Sequence, residues 1–318
     1  MNSKNILVSK ILCLFISITL LMISDCFNYK PEEVTADYEP ELLIAGFIRV
    51  DTMPSFVVVN RTLRLDETES VVVDTDTVYW NGYRYTVYKK KSTWDVDSAE
   101  VIVYDGDKNY RFNPLCIDEL RYDKEDSLIY EKLGDLKGFY SVDVVYVDTT
   151  FNFKPEGNKT YYLEVKTKDG KIATGQTTTP SEIYVDESLI PDTLYYGDVV
   201  KLKFRVKNAS YVEIDAGFYY YATYRPFNSD TTINILLKDP GYDIYSYSST
   251  DTIYFDISIF AYDENYYKYF IERPINDLFV SLFLGEGQPG YSAGVEGSYG
   301  FFASYSCKFV LRTLIKSY

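Results

Sequence analysis

Apolar residues recur at every second position along most of this chain. In Val199–Lys207, Val200, Leu202, Phe204 and Val206 fall on one face and Lys201, Lys203, Arg205 and Lys207 on the other. Ile253, Phe255, Ile257, Ile259 and Ala261 alternate in the same way with Tyr254, Asp256, Ser258 and Phe260, as do Tyr161, Leu163 and Val165 with Tyr162, Glu164 and Lys166. Successive side chains of a strand point to opposite faces, so each segment reads as a half-buried antiparallel strand. Further strands are expected over residues 41–50, 55–62, 71–79, 83–90, 99–104, 139–147, 171–178, 211–224, 231–237 and 300–314. The turn clusters Asp105-Gly106-Asp107, Lys168-Asp169-Gly170 and Asp239-Pro240-Gly241 separate them. Helical signal is weak: a turn or two within residues 116–133 and a short helix over 264–271. Many short strands with turn punctuation predict an all-β protein of sandwich-like domains, not alternating α/β units.

The pattern breaks at the start. Lys4 and Lys10 precede the uncharged apolar run Ile11–Ile23, followed by Ser24, Asp25 and Cys26. A basic start, a short apolar segment and a processing site make residues 1–25 a secretory signal peptide. At ~1.5 Å per residue the apolar run is shorter than the ~30 Å hydrocarbon core, so a removable leader is expected and not a permanent span. Met22-Ile23-Ser24-Asp25-Cys26 is similar to a bacterial lipobox, with Asp25 where a small residue is usual. That likeness makes Cys26 the expected lipidation site, with the membrane as a partner through an N-terminal lipid. An ordinary secreted protein with an incidental Cys26 is the alternative. Residues 26–40 are polar and carry Pro31 and Pro40, the composition of a tether.

Beyond residue 40 the organisation suggests two domains. The strand–turn–strand unit ending in Thr177-Thr178-Thr179-Pro180 closes a first half of residues 41–180. Its succession of strands and Asp-Gly turns resembles immunoglobulin-like or transthyretin-like modules of exported proteins. Residues 181–318 form a second β-rich domain.

Composition narrows the chemistry. The 318 residues hold 47 acidic and 32 basic side chains, a net charge of −15, and the leader contributes little of it. Such acidity argues against nucleic acid as a partner, which needs basic patches. There is no His, which removes Ser-His-Asp and Cys-His catalysis and His-based zinc sites. The mature chain holds only Cys116 and Cys307 besides Cys26. In an oxidising compartment those two are candidates for a disulfide, with two separate buried thiols as the alternative. No cofactor motif is present. Paired carboxylates run glycoside hydrolysis without His, but no local pattern singles out a pair, so no catalytic residue is assigned.

Candidate binding chemistry centres on one hairpin. Asn81-Gly82 is a strong two-residue turn between Val71–Tyr79 and Tyr83–Lys90. Trp80, Tyr83, Tyr85 and Trp94 would form its aromatic contact surface, with Lys89-Lys90-Lys91 beyond. Cross-strand packing with a charged end against edge aggregation is the plainer account. The pairs Asp74/Asp76, Asp95/Asp97 and Asp105/Asp107 offer oxygen ligands for calcium but lack an EF-hand spacing, so solvated turns are expected and no metal site is assigned. The six glycines of residues 285–300 have no phosphate-loop pattern and read as a crossing or a bulged approach to the last strand. Three N-x-[ST] sequons, at Asn60, Asn158 and Asn208, carry little meaning in a bacterial chain.

Several stretches together carry a family likeness. They are Glu41–Ile48 after the lipobox-like Cys26, Ala99–Asp105, Tyr161–Val165 with Asp169-Gly170-Lys171 and Thr178-Thr179-Pro180, then Arg273-Pro274 and Gly294–Phe302. Together they resemble a lipoprotein family of Bacteroidota and related bacteria catalogued as domain of unknown function 4249, across most of the mature chain. The resemblance implies an exported β protein at the outer membrane or cell surface, whose members often belong with outer-membrane receptor systems. It supplies no catalytic residues. The expected function is therefore a non-enzymatic accessory or scaffold for an uptake or surface assembly, with an outer-membrane receptor protein as partner. A glycan-binding module using the Trp80–Trp94 hairpin is the second reading and a carboxylate-only glycosidase the third.

Overall fold

β-branched and aromatic side chains fit a pleated, half-buried surface, and they carry most of the described residues into strands. A computed structural model describes residues 39–50, 54–64, 66–117, 143–217, 220–225, 230–237, 252–272 and 291–315. The strands are β1 (Leu42–Val50), β2 (Phe56–Arg61), β3 (Ser70–Trp80), β4 (Tyr83–Ser92), β5 (Glu100–Tyr104), β6 (Asn109–Cys116), β7 (Val144–Val147), β8 (Thr160–Lys166), β9 (Ile172–Thr178), β10 (Tyr184–Val185), β11 (Thr193–Tyr195), β12 (Val199–Arg205), β13 (Tyr211–Asp215), β14 (Tyr221–Tyr224), β15 (Thr231–Leu236), β16 (Thr252–Tyr262), β17 (Ser292–Ala293), β18 (Val295–Glu296) and β19 (Tyr299–Ile315). The protein is all-β and sandwich-like.

One large sheet runs β14-β13-β16-β19-β1-β2-β7-β6-β5-β8-β9-β18, with β11 and β17 also paired to β19. A smaller sheet runs β10-β12-β15, and β3 and β4 form a third. The spine is β19, which pairs parallel with β1 from Leu43↔Tyr299 to Val50↔Ser306 and antiparallel with β16 from Thr252↔Ile315 to Tyr262↔Tyr305. Two main cores lie along it. Leu42, Ile44, Val57, Val103, Tyr161 and Leu163 pack with Val295 and Phe302 in the first. Val200, Leu202 and Phe204 of the small sheet pack on Ile257, Ile259, Val310 and Leu314 in the second. The expected boundary at Pro180 is where the chain passes from one core to the other, yet β19 serves both, and residues from Pro40 onward form one compact unit.

Burial explains where alternation fails. Phe56, Val58, Val145 and Val147 form a further cluster on the far face of β2 and β7, so β2 is buried on both faces and reads as an unbroken apolar run. The predicted helix at 264–271 is a single α turn, Glu264–Tyr266, continued by a π turn, Tyr267–Ile271. Its N-cap Asp263 accepts the Tyr266 amide at 2.9 Å, and its Phe270 packs with Phe301 on the other face of β19. Gly300 sits at φ +104°, where a Cβ would fall 2.0 Å from the Ile44 carbonyl oxygen. Gly300 is therefore structural, whereas Gly285, Gly287 and Gly290 lie outside the described residues.

Other expectations are corrected. The single strand expected over 211–224 is a hairpin: Gly217 adopts φ +59° and donates to Asp215 Oδ1 at 2.7 Å, turning β13 into β14. β6 was not expected because Asn109, Asn113 and Pro114 disfavour strands, yet it pairs with both β5 and β7. Of 139–147, the described strand is Val144–Val147, and the expected helical segment beyond Ile117 lies outside the described residues. Cys26 and the expected leader lie outside them too.

The Cys116–Cys307 pairing is also corrected, since the two do not bridge each other. Cys116 is in β6 and Cys307 in β19, with β7, β2 and β1 between them. Following the registers across these strands places Cys116 level with Gly300, seven residues from Cys307. At ~3.3 Å per residue that offset alone is about 23 Å, far beyond the ~7 Å a disulfide spans.

Candidate interaction surface

The ribbon of β3 and β4 follows directly from its sequence. Asn81 and Gly82 take φ values of 51° and 79°, the two positive angles that a tight hairpin turn matching strand twist requires. The register runs from Trp80↔Tyr83 to Ser70↔Ser92, with an irregularity between Val72 and Asp74 that leaves Val73 unmatched. Val78 opposes Tyr85 and Asp76 opposes Val87, so with Tyr83 they give one mainly apolar face. Tyr79 opposes Arg84, Thr77 opposes Thr86 and Thr75 opposes Tyr88 on the other. Among the described residues, β3 and β4 pair only with each other. Val71, Val72, Val73, Val78, Tyr85, Val87 and Tyr88 are all exposed, and Tyr79 and Tyr83 stand 72% and 70% open to solvent. At roughly 3.3 Å per residue, the strands reach about 35 Å from the body.

The ribbon is held at its root. Thr93 N donates to Glu69 O at 3.0 Å, so the two ends of the hairpin enter and leave side by side. Arg61 N donates to Trp94 O at 2.8 Å and Val96 N to Val59 O at 3.0 Å, docking the chain after β4 on β2. Ser92 N donates to Asp143 Oδ2 at 2.8 Å, and Asp143 N donates to Asp95 Oδ2 at 3.2 Å. With its amide nitrogen turned inward, Asn60 donates to Asp95 Oδ1 at 3.0 Å. The Tyr146 hydroxyl donates to Val96 O and accepts from Ala99 N at 3.0 Å. Lys91 Nζ meets Asp97 at 2.5 Å.

Electrostatics at the root are uneven. Burial, helped by the neighbouring Asp143 charge, pushes the Asp95 carboxyl up from 3.8 to about 7. Burial likewise raises Tyr146 to about 12. Lys91 holds Asp97 below its ordinary value, and Asp97 raises Lys91 in return.

The expected aromatic set is only partly brought together. Tyr83 and Tyr85 share an exposed face of the ribbon. Trp80 holds the last position of β3 opposite Tyr83, and its side chain lies outside the described residues. Trp94 is corrected: it is 8% exposed, at the root and not on the ribbon, and its Nε1 finds no partner among the described residues. Tyr88 is exposed on the second face of the ribbon, and Tyr79 adds there an exposed ring that sequence reasoning did not single out, although the alternation that predicts the hairpin already places it on that face. Asp143 and Asn60 were missed altogether, because nothing local marks residues that act 48 and 35 positions from Asp95.

The acidic pairs are structural. Asp74 and Asp76 accept the amides of Thr75 and Thr77. Asp105 accepts from the Lys108 amide at 2.9 Å and meets Lys159 Nζ at 2.8 Å, which holds its carboxyl down to about 2. Among the described residues, no three Asp, Glu or Cys side chains gather as a metal site would require. The sequon residues Asn158 and Asn208 bond to each other at 2.9 Å between two turns. A groove of about 460 Å³ lies between Gln176–Thr178, Asn208–Ser210 and Asp263–Asn265. Its buried acid Asp263 is engaged by Thr177, and burial raises it to about 6. A comparison with protein-family models gives no match to this chain, and no curated protein matches it.

Proposed function

We propose that this protein is a non-enzymatic lipoprotein of the outer membrane or cell surface. In this reading it is anchored through Cys26 and serves as an accessory or scaffold for an uptake or surface assembly, engaging a partner protein through the β3–β4 ribbon. The leader, the lipobox-like Cys26, the polar tether and the family resemblance support the anchor and the setting. The contact role rests on one observation: a two-stranded ribbon projects with apolar side chains exposed on it and two strand edges unpaired among the described residues. Isolated two-stranded hairpins are marginal in water, and exposed apolar patches of this kind mark interaction sites. Covering the exposed Val78, Tyr83, Tyr85 and Val87 is worth roughly 1 kcal/mol each, about 4 kcal/mol in all.

The test is excision. Glu69 and Thr93 are already hydrogen-bonded neighbours, so residues 70–92 can be replaced by an Asn-Gly link without opening the body. The expected result is a body that still folds, its melting temperature lowered only by the loss of the Ser92–Asp143 and Lys91–Asp97 contacts, and loss of an outer-membrane receptor that should co-purify with the full chain. Retention of that receptor by the excised protein would remove the ribbon from the reading. Cys26→Ser tests the anchor: the variant should leave the membrane fraction and lose the mass of the lipid.

Glycan binding is the second reading, favoured by the exposed rings of Tyr79, Tyr83, Tyr85 and Tyr88. Trp94 contributes nothing to it. Glycan-array signal lost in Tyr83→Ala and Tyr85→Ala would carry that reading over the first.

A further inference from the structure

The two edges of the ribbon are not equivalent. β3 carries Asp74 and Asp76 and no basic residue, and its register breaks at Val72/Asp74. A bulge of that kind twists an edge away from incoming strands. β4 is regular over its whole length and carries Arg84, Lys89, Lys90 and Lys91 with no acid. In a chain of net charge −15 this is a local reversal of sign. A negatively charged partner is repelled by the molecule as a whole and drawn to this strand.

The backbone of β4 is set to receive a strand. In a two-residue hairpin the residues flanking the turn form a doubly hydrogen-bonded pair, and the pattern alternates from there. Trp80↔Tyr83, Val78↔Tyr85 and Asp76↔Val87 are then bonded pairs. The N–H and C=O groups of Arg84, Thr86 and Tyr88 consequently point away from β3. A strand laid along them would extend the apolar face of Val78, Tyr83, Tyr85 and Val87, and would set its own side chains opposite those of β4.

We infer that the outer edge of β4 captures an extended, acidic segment of a partner protein by strand addition. This rests on the reading of the ribbon as the contact surface and names what that surface takes. Main-chain hydrogen bonds to Arg84, Thr86 and Tyr88 supply affinity, alternate apolar residues of the segment sit beside Tyr85 and Val87, and its carboxylates fall on the opposite face, beside Arg84 and Lys90.

The probe is a capped, fluorescently labelled peptide of alternating Val and Glu, with the alternating Val/Lys peptide as control, titrated onto the mature protein. The acidic peptide should bind and the basic one should not. Thr86→Pro removes an outward N–H from β4 without touching the β3 ladder and should abolish binding. Thr77→Pro makes the matching change on β3 and should leave binding intact. Arg84→Glu with Lys90→Glu should weaken the acidic peptide by about tenfold or more and admit the basic one. Equal loss in both proline variants, or none in either, would sink the β4-edge assignment. Binding to anionic phospholipid vesicles that charge reversal abolishes and Thr86→Pro spares would make the lysine run a membrane contact and overturn strand capture. If the acidic peptide fails to bind while excision of the ribbon still releases the co-purified receptor, strand capture is wrong and the ribbon remains the contact surface. If excision releases nothing and the peptide still binds through Thr86, the reverse holds.

Discussion

Replacing Asp95 with Asn tests how the ribbon is fixed to the body. Asp95 is half-buried beside Asp143, takes hydrogen bonds from the Asp143 amide and Asn60, and has its carboxyl pushed up to about 7. The free carboxyl titrates at 3.8, so between roughly pH 4 and 7 the folded protein holds a proton that the unfolded chain has lost. The contribution of Asp95 to stability is thus complete below pH 4, falls by about 1.4 kcal/mol per pH unit as pH rises, and levels off above pH 7. Over that window the loss is about 4 kcal/mol, and water reaching the partly open carboxyl lowers it to about 2 kcal/mol. An Asn side chain has the same shape, accepts from the Asp143 amide, and never ionises. Urea denaturation of the Asn variant and the wild type at pH 4 and pH 8 should therefore show the variant gaining about 2–4 kcal/mol on the wild type at the higher pH. The Lys91–Asp97 pair and the Ser92–Asp143 bond are common to both proteins and cancel in the difference. A variant whose stability relative to wild type stays constant across that range, within about 0.5 kcal/mol, would refute the buried carboxyl pair as an element of the root.

Other substitutions probe the packing. Gly300→Ala should cost about 3 kcal/mol or more and lower the melting temperature, because it forces a Cβ against the Ile44 carbonyl at a positive φ. Trp94→Ala should destabilise the protein by about 3–5 kcal/mol, whereas Tyr83→Ala on the exposed ribbon should change stability by about 0.5 kcal/mol or less, both read by thermal unfolding. Reducing agent should leave the melting temperature unchanged, and Cys116 and Cys307 should both react with a thiol reagent once the chain is unfolded, since the two do not bridge each other.

Much of the fold was legible because the signals involved are local. Period-two alternation placed β8, β12 and β16, and Asn81-Gly82 placed the ribbon's turn, because strand pleat and turn angles depend on neighbouring residues only. Where two faces are buried, as in β2, or where a turn interrupts an alternation without changing it, as at Gly217, the pattern blurs. Pro114 hid β6 because its context in the sheet overrides its poor strand propensity.

By itself, then, the sequence determined the all-β class, the hairpin, the leader-like start and the absence of His chemistry. Which strands lie side by side was decided only in three dimensions, by the pairing of β19 with β16 and, across more than two hundred residues, with β1. That pairing keeps Cys116 and Cys307 apart and joins two cores along one strand. Packing also buried Trp94 while leaving Tyr79 and Tyr83 in water, although all three belong to the same aromatic-rich stretch. Asp95 and Asp143 meet for the same reason. Burial and long-range contact depend on the whole chain's arrangement, and residue type alone does not encode them.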